Sequence, residues 1–131
     1  MKLPMLFISF LFLTALFSGC KKVEGPGGSS SIVGKVYIVD KDAAGNILSE
    51  YYAPKFDVFL IYGTDGVSFD DDVETSYDGS FKFDFLEKGD YQLFVYEKCN
   101  TCPGGDTVLI TNVEITDKKS TFDVGTITVI D

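Results

Sequence analysis

Tyr77-Asp78-Gly79-Ser80-Phe81-Lys82-Phe83-Asp84-Phe85-Leu86-Glu87-Lys88-Gly89-Asp90-Tyr91-Gln92-Leu93 is the stretch that decides the fold. Asp78-Gly79 reads as a tight turn, because glycine accepts positive φ without steric cost. After it, Phe81, Phe83 and Phe85 alternate with Lys82 and Asp84. A period of two predicts a strand over 80–86 with one face buried and the other wet. Leu86 and Tyr91 flank a second turn at Gly89 and are expected to point into one core. Asp90–Glu97 then continues as a further apolar strand.

The same punctuation extends in both directions. Ile32–Val39 opens with β-branched residues, and Asp40–Asn46 (DKDAAGN) reads as a hairpin turn. Ile47–Tyr52 is a short strand. Phe56–Tyr62 (FDVFLIY) is apolar on both faces, which suits a central buried strand. An acidic loop at 63–72 leads into Val73–Tyr77, and Thr107–Ile115 and Thr121–Ile130 finish the chain. No window keeps helical spacing over ten residues without turn residues. Seven to eight short strands with many apolar faces require two layers. The expected fold class is all-β, an antiparallel two-layer sandwich of immunoglobulin-like or prealbumin-like form.

The pattern DG-x-F-x-F-x-x-L-x-x-G-x-Y-x-L over 78–93 resembles the carboxypeptidase regulatory-like and transthyretin-like sandwich domains, and the related B-type repeats of surface adhesins. Gly34-Lys35-Val36 and Asp57-Val58-Phe59-Leu60 fit the family's first two core strands. The resemblance spans about Ile32 to Asp131 and rests on structural residues. It implies a spacer, stalk or binding accessory, and fold alone does not fix an activity.

The N-terminus has a different character. Met1-Lys2 is a short positive region, and Leu3 to Phe17 is apolar apart from Pro4, Ser9 and Thr14. This is the order of a secretory signal, and it is shorter than the roughly 20 residues a membrane span needs. Leu16-Phe17-Ser18-Gly19-Cys20 resembles the lipobox of bacterial lipoproteins, with Phe17 where an aliphatic is usual. The resemblance implies removal of residues 1–19 as a lipoprotein signal peptide. Cys20 would then carry a diacylglyceryl group on its thiol and a fatty acyl chain such as palmitate on its amine. Two or more chains give stable anchoring, at about 0.8 kcal/mol per buried CH₂. Lys21 stands where an Asp is associated with inner-membrane retention, so the expected destination is the outer membrane. Residues 21–31 (KKVEGPGGSSS) are rich in Gly, Pro and Ser and are expected to form, with the lipidated Cys20, a flexible tether over 20–31. The sandwich domain is then 32–131.

Composition narrows the function classes. Removing residues 1–19 from 131 leaves 112, a single-domain length. The whole chain has a net charge of −9, and all 20 acidic residues lie after Cys20. There is no Arg and no His. Nucleic-acid binding lacks its basic face. Nucleophiles activated by His and metal sites built on His are excluded.

Three groups are candidates for chemistry. Cys99 and Cys102 lie in a secreted context and, with Cys20 used by lipid, form an even pair, so a disulfide is expected. A thiol–disulfide activity is the competing reading, without the α/β pattern and helix N-terminus such a site uses. Asp65, Asp70, Asp71 and Asp72, with Glu74, are the candidate Ca²⁺ ligands of a calcium-dependent adhesion or ligand-binding module. A solvated acidic loop is the preferred reading of that cluster. Tyr51 and Tyr52 are candidates for a ligand patch, with edge packing as the default. The overall expectation is a non-enzymatic, lipid-anchored protein of the cell envelope. It would meet the membrane through Cys20 and an envelope protein or glycan through its sandwich.

Overall fold

A computed structural model describes residues 23–131. Among these residues no helix occurs, and eight strands follow in order. They are β1 (Pro26–Lys41), β2 (Ile47–Tyr52), β3 (Asp57–Tyr62), β4 (Asp71–Glu74), β5 (Ser80–Leu86), β6 (Gly89–Lys98), β7 (Asp106–Ile115) and β8 (Thr121–Ile130). Two four-stranded sheets form the expected sandwich. In the first, β1 is the spine: β8 runs along one side of it, and β5 and then β2 share the other. The second sheet has the order β4-β3-β6-β7.

Alternation explains the core. Val58 and Leu60 of β3 and Tyr91, Leu93 and Val95 of β6 point inward and are fully buried. Ile32, Val36, Phe83 and Leu86 meet them from the other sheet. Gly34 sits at a close crossing in β1, where a Cβ would lie 2.5 Å from Val124 Cγ2 and 2.6 Å from Phe81 Cζ. Gly79 (φ +77°) makes the turn that opens β5, and its carbonyl accepts the Val36 N–H at 2.9 Å.

Three features depart from the sequence reading. First, β8 pairs with β1 in parallel, from Ser31↔Thr121 to Val39↔Ile130. The connection at 116–120 carries the chain from the second sheet to the first at the end where β1 also begins. β8 must therefore run the same way as β1.

Second, the Phe81–Phe83–Phe85 alternation breaks at Phe85. Ile32 pairs with Phe83 but Ser30 pairs with Leu86, so β5 holds one extra residue there. This is a β-bulge. Phe85 takes φ +58° and is 72% exposed, while Leu86 fills the inward position.

Third, the expected tether is ordered from Pro26, six residues before Ile32. Gly28 passes so close to β5 that a Cβ would lie 2.0 Å from the Leu86 carbonyl oxygen. The buried Tyr91 side chain holds this segment: the Gly25 N–H donates to its hydroxyl at 3.0 Å, and the hydroxyl donates to the Glu87 carbonyl at 2.7 Å. Glycine lets the backbone approach closely, and Ser30, also buried, is satisfied by donating to the Asp117 carbonyl at 2.9 Å. The signal peptide, Cys20, Lys21 and Lys22 lie outside the described residues.

Candidate binding face

The outward positions of the second sheet carry an aromatic surface. β3 turns Val58 and Leu60 inward, so Phe59 must face out. β6 turns Tyr91, Leu93 and Val95 inward and sets Gln92, Phe94 and Tyr96 outward. The register brings Phe59 directly opposite Phe94. Their rings stack with centroids 5.0 Å apart. Tyr96 meets both edge-on, at 5.6 Å from Phe59 and 5.8 Å from Phe94. Phe69 folds back from the 63–70 loop to 4.9 Å from Phe59. Tyr96 and Phe69 remain about half exposed.

β7 extends this surface to the sheet edge. Val95 lies opposite Leu109 and Tyr96 opposite Val108, so Val108 and Ile110 continue the outer face. They are 43% and 57% exposed, which is high for aliphatic side chains on a regular strand. Gln92 donates to Asn112 Oδ1 at 3.1 Å at one border. Asp72 and Glu74 of β4, opposite Phe59 and Asp57, form another. At the β6 end the face runs into an open groove of about 440 Å³, lined in part by Phe56, Phe59, Tyr96 and Lys98. Lys98 is ion-paired there with Asp131. The hydrogen bond and the charge of Asp131 hold the Lys98 ammonium above its ordinary pKa. Polar rim and apolar centre together are the anatomy of an interaction surface.

Among the expected sites, Cys99 and Cys102 form a disulfide with Cα atoms 5.3 Å apart. It closes the tip of the β6–β7 hairpin, where the Cys99 N–H donates to the Gly105 carbonyl at 2.8 Å. No helix among the described residues lends its N-terminus to either sulfur.

The acidic candidates are not brought together. Asp70 accepts the Tyr62 N–H at 2.8 Å, and Asp71 accepts the Asp72 N–H at 2.9 Å. Strand alternation then sends Asp71 and Asp72 to opposite faces of β4, opposite Leu60 and Phe59. Asp65 stays in the loop. Among the described residues, no three His, Cys, Asp or Glu side chains are placed to hold a metal. The Asp40–Asn46 segment is the hairpin turn it was read as, with Asp42 accepting the N–H groups of Ala44 and Asn46 at 2.9 and 2.8 Å. Tyr52 packs edge-on against Tyr37 at 5.1 Å, with Lys35 Nζ 5.0 Å from its ring centre. Tyr51 and Tyr52 are both about half exposed on the edge strand β2.

Sequence reading missed Phe59, Phe69, Phe94 and Tyr96 as functional candidates. The signal was present: FDVFLIY and YQLFVY place aromatics at the outward positions of two strands that a two-layer fold leaves uncovered on one side.

No family model matches the chain, and no curated protein matches it. Among solved structures, a Pseudomonas aeruginosa protein provisionally described as carbohydrate binding is similar, at 14% identity and a TM-score of 0.47. The match covers 82% of this chain and 91% of that one.

Proposed function

We propose that this chain is a lipid-anchored protein of the bacterial outer membrane, and that its sandwich is a non-enzymatic binding accessory. The outer face of the second sheet is the surface that meets its partner. The single observation behind this reading is the uncovered run of Phe69, Tyr96, Val108 and Ile110 around the Phe59–Phe94 stack. The partner class we favour is an envelope protein. Val108 and Ile110 add branched aliphatic surface on the open edge strand β7, where a second polypeptide can cover side chains and pair backbone at once.

The Leu16–Cys20 lipobox supports the anchor, and Lys21 supports the outer membrane. The resemblance of residues 78–93 to carboxypeptidase regulatory-like domains supports an accessory role over catalysis. The absence of His and Arg points the same way.

Two experiments test the reading. A photoreactive residue placed at Ile110 in cells should give a protease-sensitive adduct that the same residue at Glu50, on the other sheet, does not. Equal labelling at both positions, or an adduct sensitive to glycosidase and not to protease, overturns the protein-partner reading. Membrane fractionation of Cys20→Ala tests the anchor; a variant still held in the membrane, or an intact mass without acyl chains, overturns it.

A further inference from the structure

The ordered start of β1 leaves very little chain between Cys20 and the folded domain. Glu24 is already fixed, since its carboxylate accepts the Asp90 N–H at 3.4 Å and its side chain fills the space a Cβ on Gly89 would need. Gly25 follows, buried and bonded to Tyr91. Lys21, Lys22 and Val23 alone separate Cys20 from Glu24. Fully extended, that stretch spans about 14 Å. The polar headgroup zone of a bilayer leaflet is itself roughly 7 Å deep. A domain held by an acyl chain on Cys20 therefore cannot stand clear of the membrane.

From this we propose that one end of the sandwich rests on anionic lipid headgroups. It is the end formed by 24–28, the 63–70 loop, the 87–90 turn and the 116–120 connection. The proposal rests on the lipid anchor inferred above. The charge distribution fits it. Beyond Cys20 there are ten lysines and 20 carboxylates. The segments 24–28, 63–70, 87–90 and 116–120 hold three of those lysines, Lys88, Lys118 and Lys119, against six of the acids, and Lys21 and Lys22 directly precede them in sequence. With those two lysines counted, this end is within one charge of neutral, while the remaining side chains sum to −9. An acidic domain tied this closely to an anionic surface is repelled by every other orientation, because the separation lies near one Debye length of about 8–10 Å. Lys88 and Lys118 also border a cleft of about 270 Å³ against Gly27, Gly28 and Ser29, with Glu87 on its wall.

The geometry then sets heights. β6 rises from Gly89 at this end to Lys98 at the other. At about 3.4 Å per residue, Phe94 and Tyr96 stand roughly 17–24 Å above the base, and the disulfide loop about 30 Å above it. The aromatic face is held upright beside the membrane, neither buried in it nor raised far from it.

The chain has no Trp, so a single introduced Trp reports its own position. Thr116→Trp marks the proposed base and Ala43→Trp the opposite end; both positions are exposed. The lipidated protein is placed in vesicles of phosphatidylethanolamine and phosphatidylglycerol with a headgroup spin-labelled lipid. Quenching in the Thr116→Trp variant should be at least about threefold greater than in the Ala43→Trp variant, given the ~30 Å difference in height. Inserting a ten-residue Gly-Ser spacer after Lys22 should erase that contrast. Equal quenching without the spacer, or unchanged contrast with it, overturns the proposal. If the native protein proves to carry no lipid, the anchor reading fails separately. The chain beginning at Cys20 is then coupled through that thiol to a maleimide lipid in the same vesicles. Contrast there sustains the orientation, and its absence overturns it.

Discussion

Replacing Tyr91 with Phe removes one oxygen atom and, with it, the junction between the start of β1 and the 87–90 turn. The ring is fully buried, and Phe preserves its packing beside Tyr62, whose ring centre is 6.0 Å away. What is lost is the acceptor of the Gly25 N–H and the donor to the Glu87 carbonyl. Two net hydrogen bonds at about 1 kcal/mol each, with the buried Gly25 N–H left unpaired, give a destabilisation of about 2–3 kcal/mol. For a domain of this size that is a fall in Tm of roughly 8–12 °C. Urea unfolding gives the free energy. Hydrogen exchange at the Gly25 amide gives the location, since local opening of 24–28 precedes global unfolding once the clamp is gone. The same hydroxyl predicts the alkaline limb. Burial, first, and the nearby carboxylates hold the Tyr91 pKa above its ordinary value, and burial with Asp71 and Asp70 does the same for Tyr62. A raised phenol contributes stability that is complete below its unfolded pKa of about 10 and is lost as pH rises through the folded value. Tyr91→Phe should therefore flatten the fall in stability above that pH. A cost below about 0.5 kcal/mol with Gly25 still protected would refute the reasoning, because such a group is then satisfied by something other than Tyr91.

Phe85→Asn should raise stability by about 0.5–1 kcal/mol, since Asn tolerates the left-handed backbone of the bulge and Phe85 is already exposed; a loss in urea unfolding would count against the bulge. Reducing Cys99–Cys102 should cost about 2 kcal/mol by chain entropy for so small a loop, read as a shift in urea midpoint with and without reductant. On the acid side, hydrogen bonds from Asn46, Ser80 and Ser31 hold Asp42, Asp78 and Asp84 below the ordinary carboxylate pKa. Their contribution is present above about pH 4 and is lost as pH falls through the lowered folded values. Ser31→Ala should make unfolding midpoints less steep in that window, and an unchanged slope would show that the Asp84 bond is not formed.

The sandwich was legible because its core obeys strict alternation at Val58, Leu60, Leu93 and Val95. Phe85 was not, because a bulge shifts the inward position to Leu86 without changing the composition of the strand. Residues 26–31 read as a tether for a related reason. Gly and Ser lack apolar surface of their own, but their small size lets the backbone lie against Leu86 and reach Tyr91, a partner 66 residues away. The outward aromatic face was hidden by layer count. Aromatic residues on both faces of β3 look like deep burial until the fold supplies cover for one face alone. The acidic candidates follow the same period: Asp71 and Asp72, adjacent in sequence, are sent to opposite faces by the two-residue repeat of β4.

The parallel pairing of β1 with β8 has a mechanical consequence. A pull applied between the start of β1 and the far end of β8 runs along both strands in opposite senses. The eight paired positions from Ser31↔Thr121 to Val39↔Ile130 are then loaded in shear. Evenly spaced ladder bonds in that geometry must give way together, whereas an antiparallel hairpin pulled from its open end yields one rung at a time. Resistance to such a pull is governed by the rate of unfolding and not by equilibrium stability. Held at the start of β1 and tugged at the end of β8, this domain strains that seam along the direction in which it is strongest.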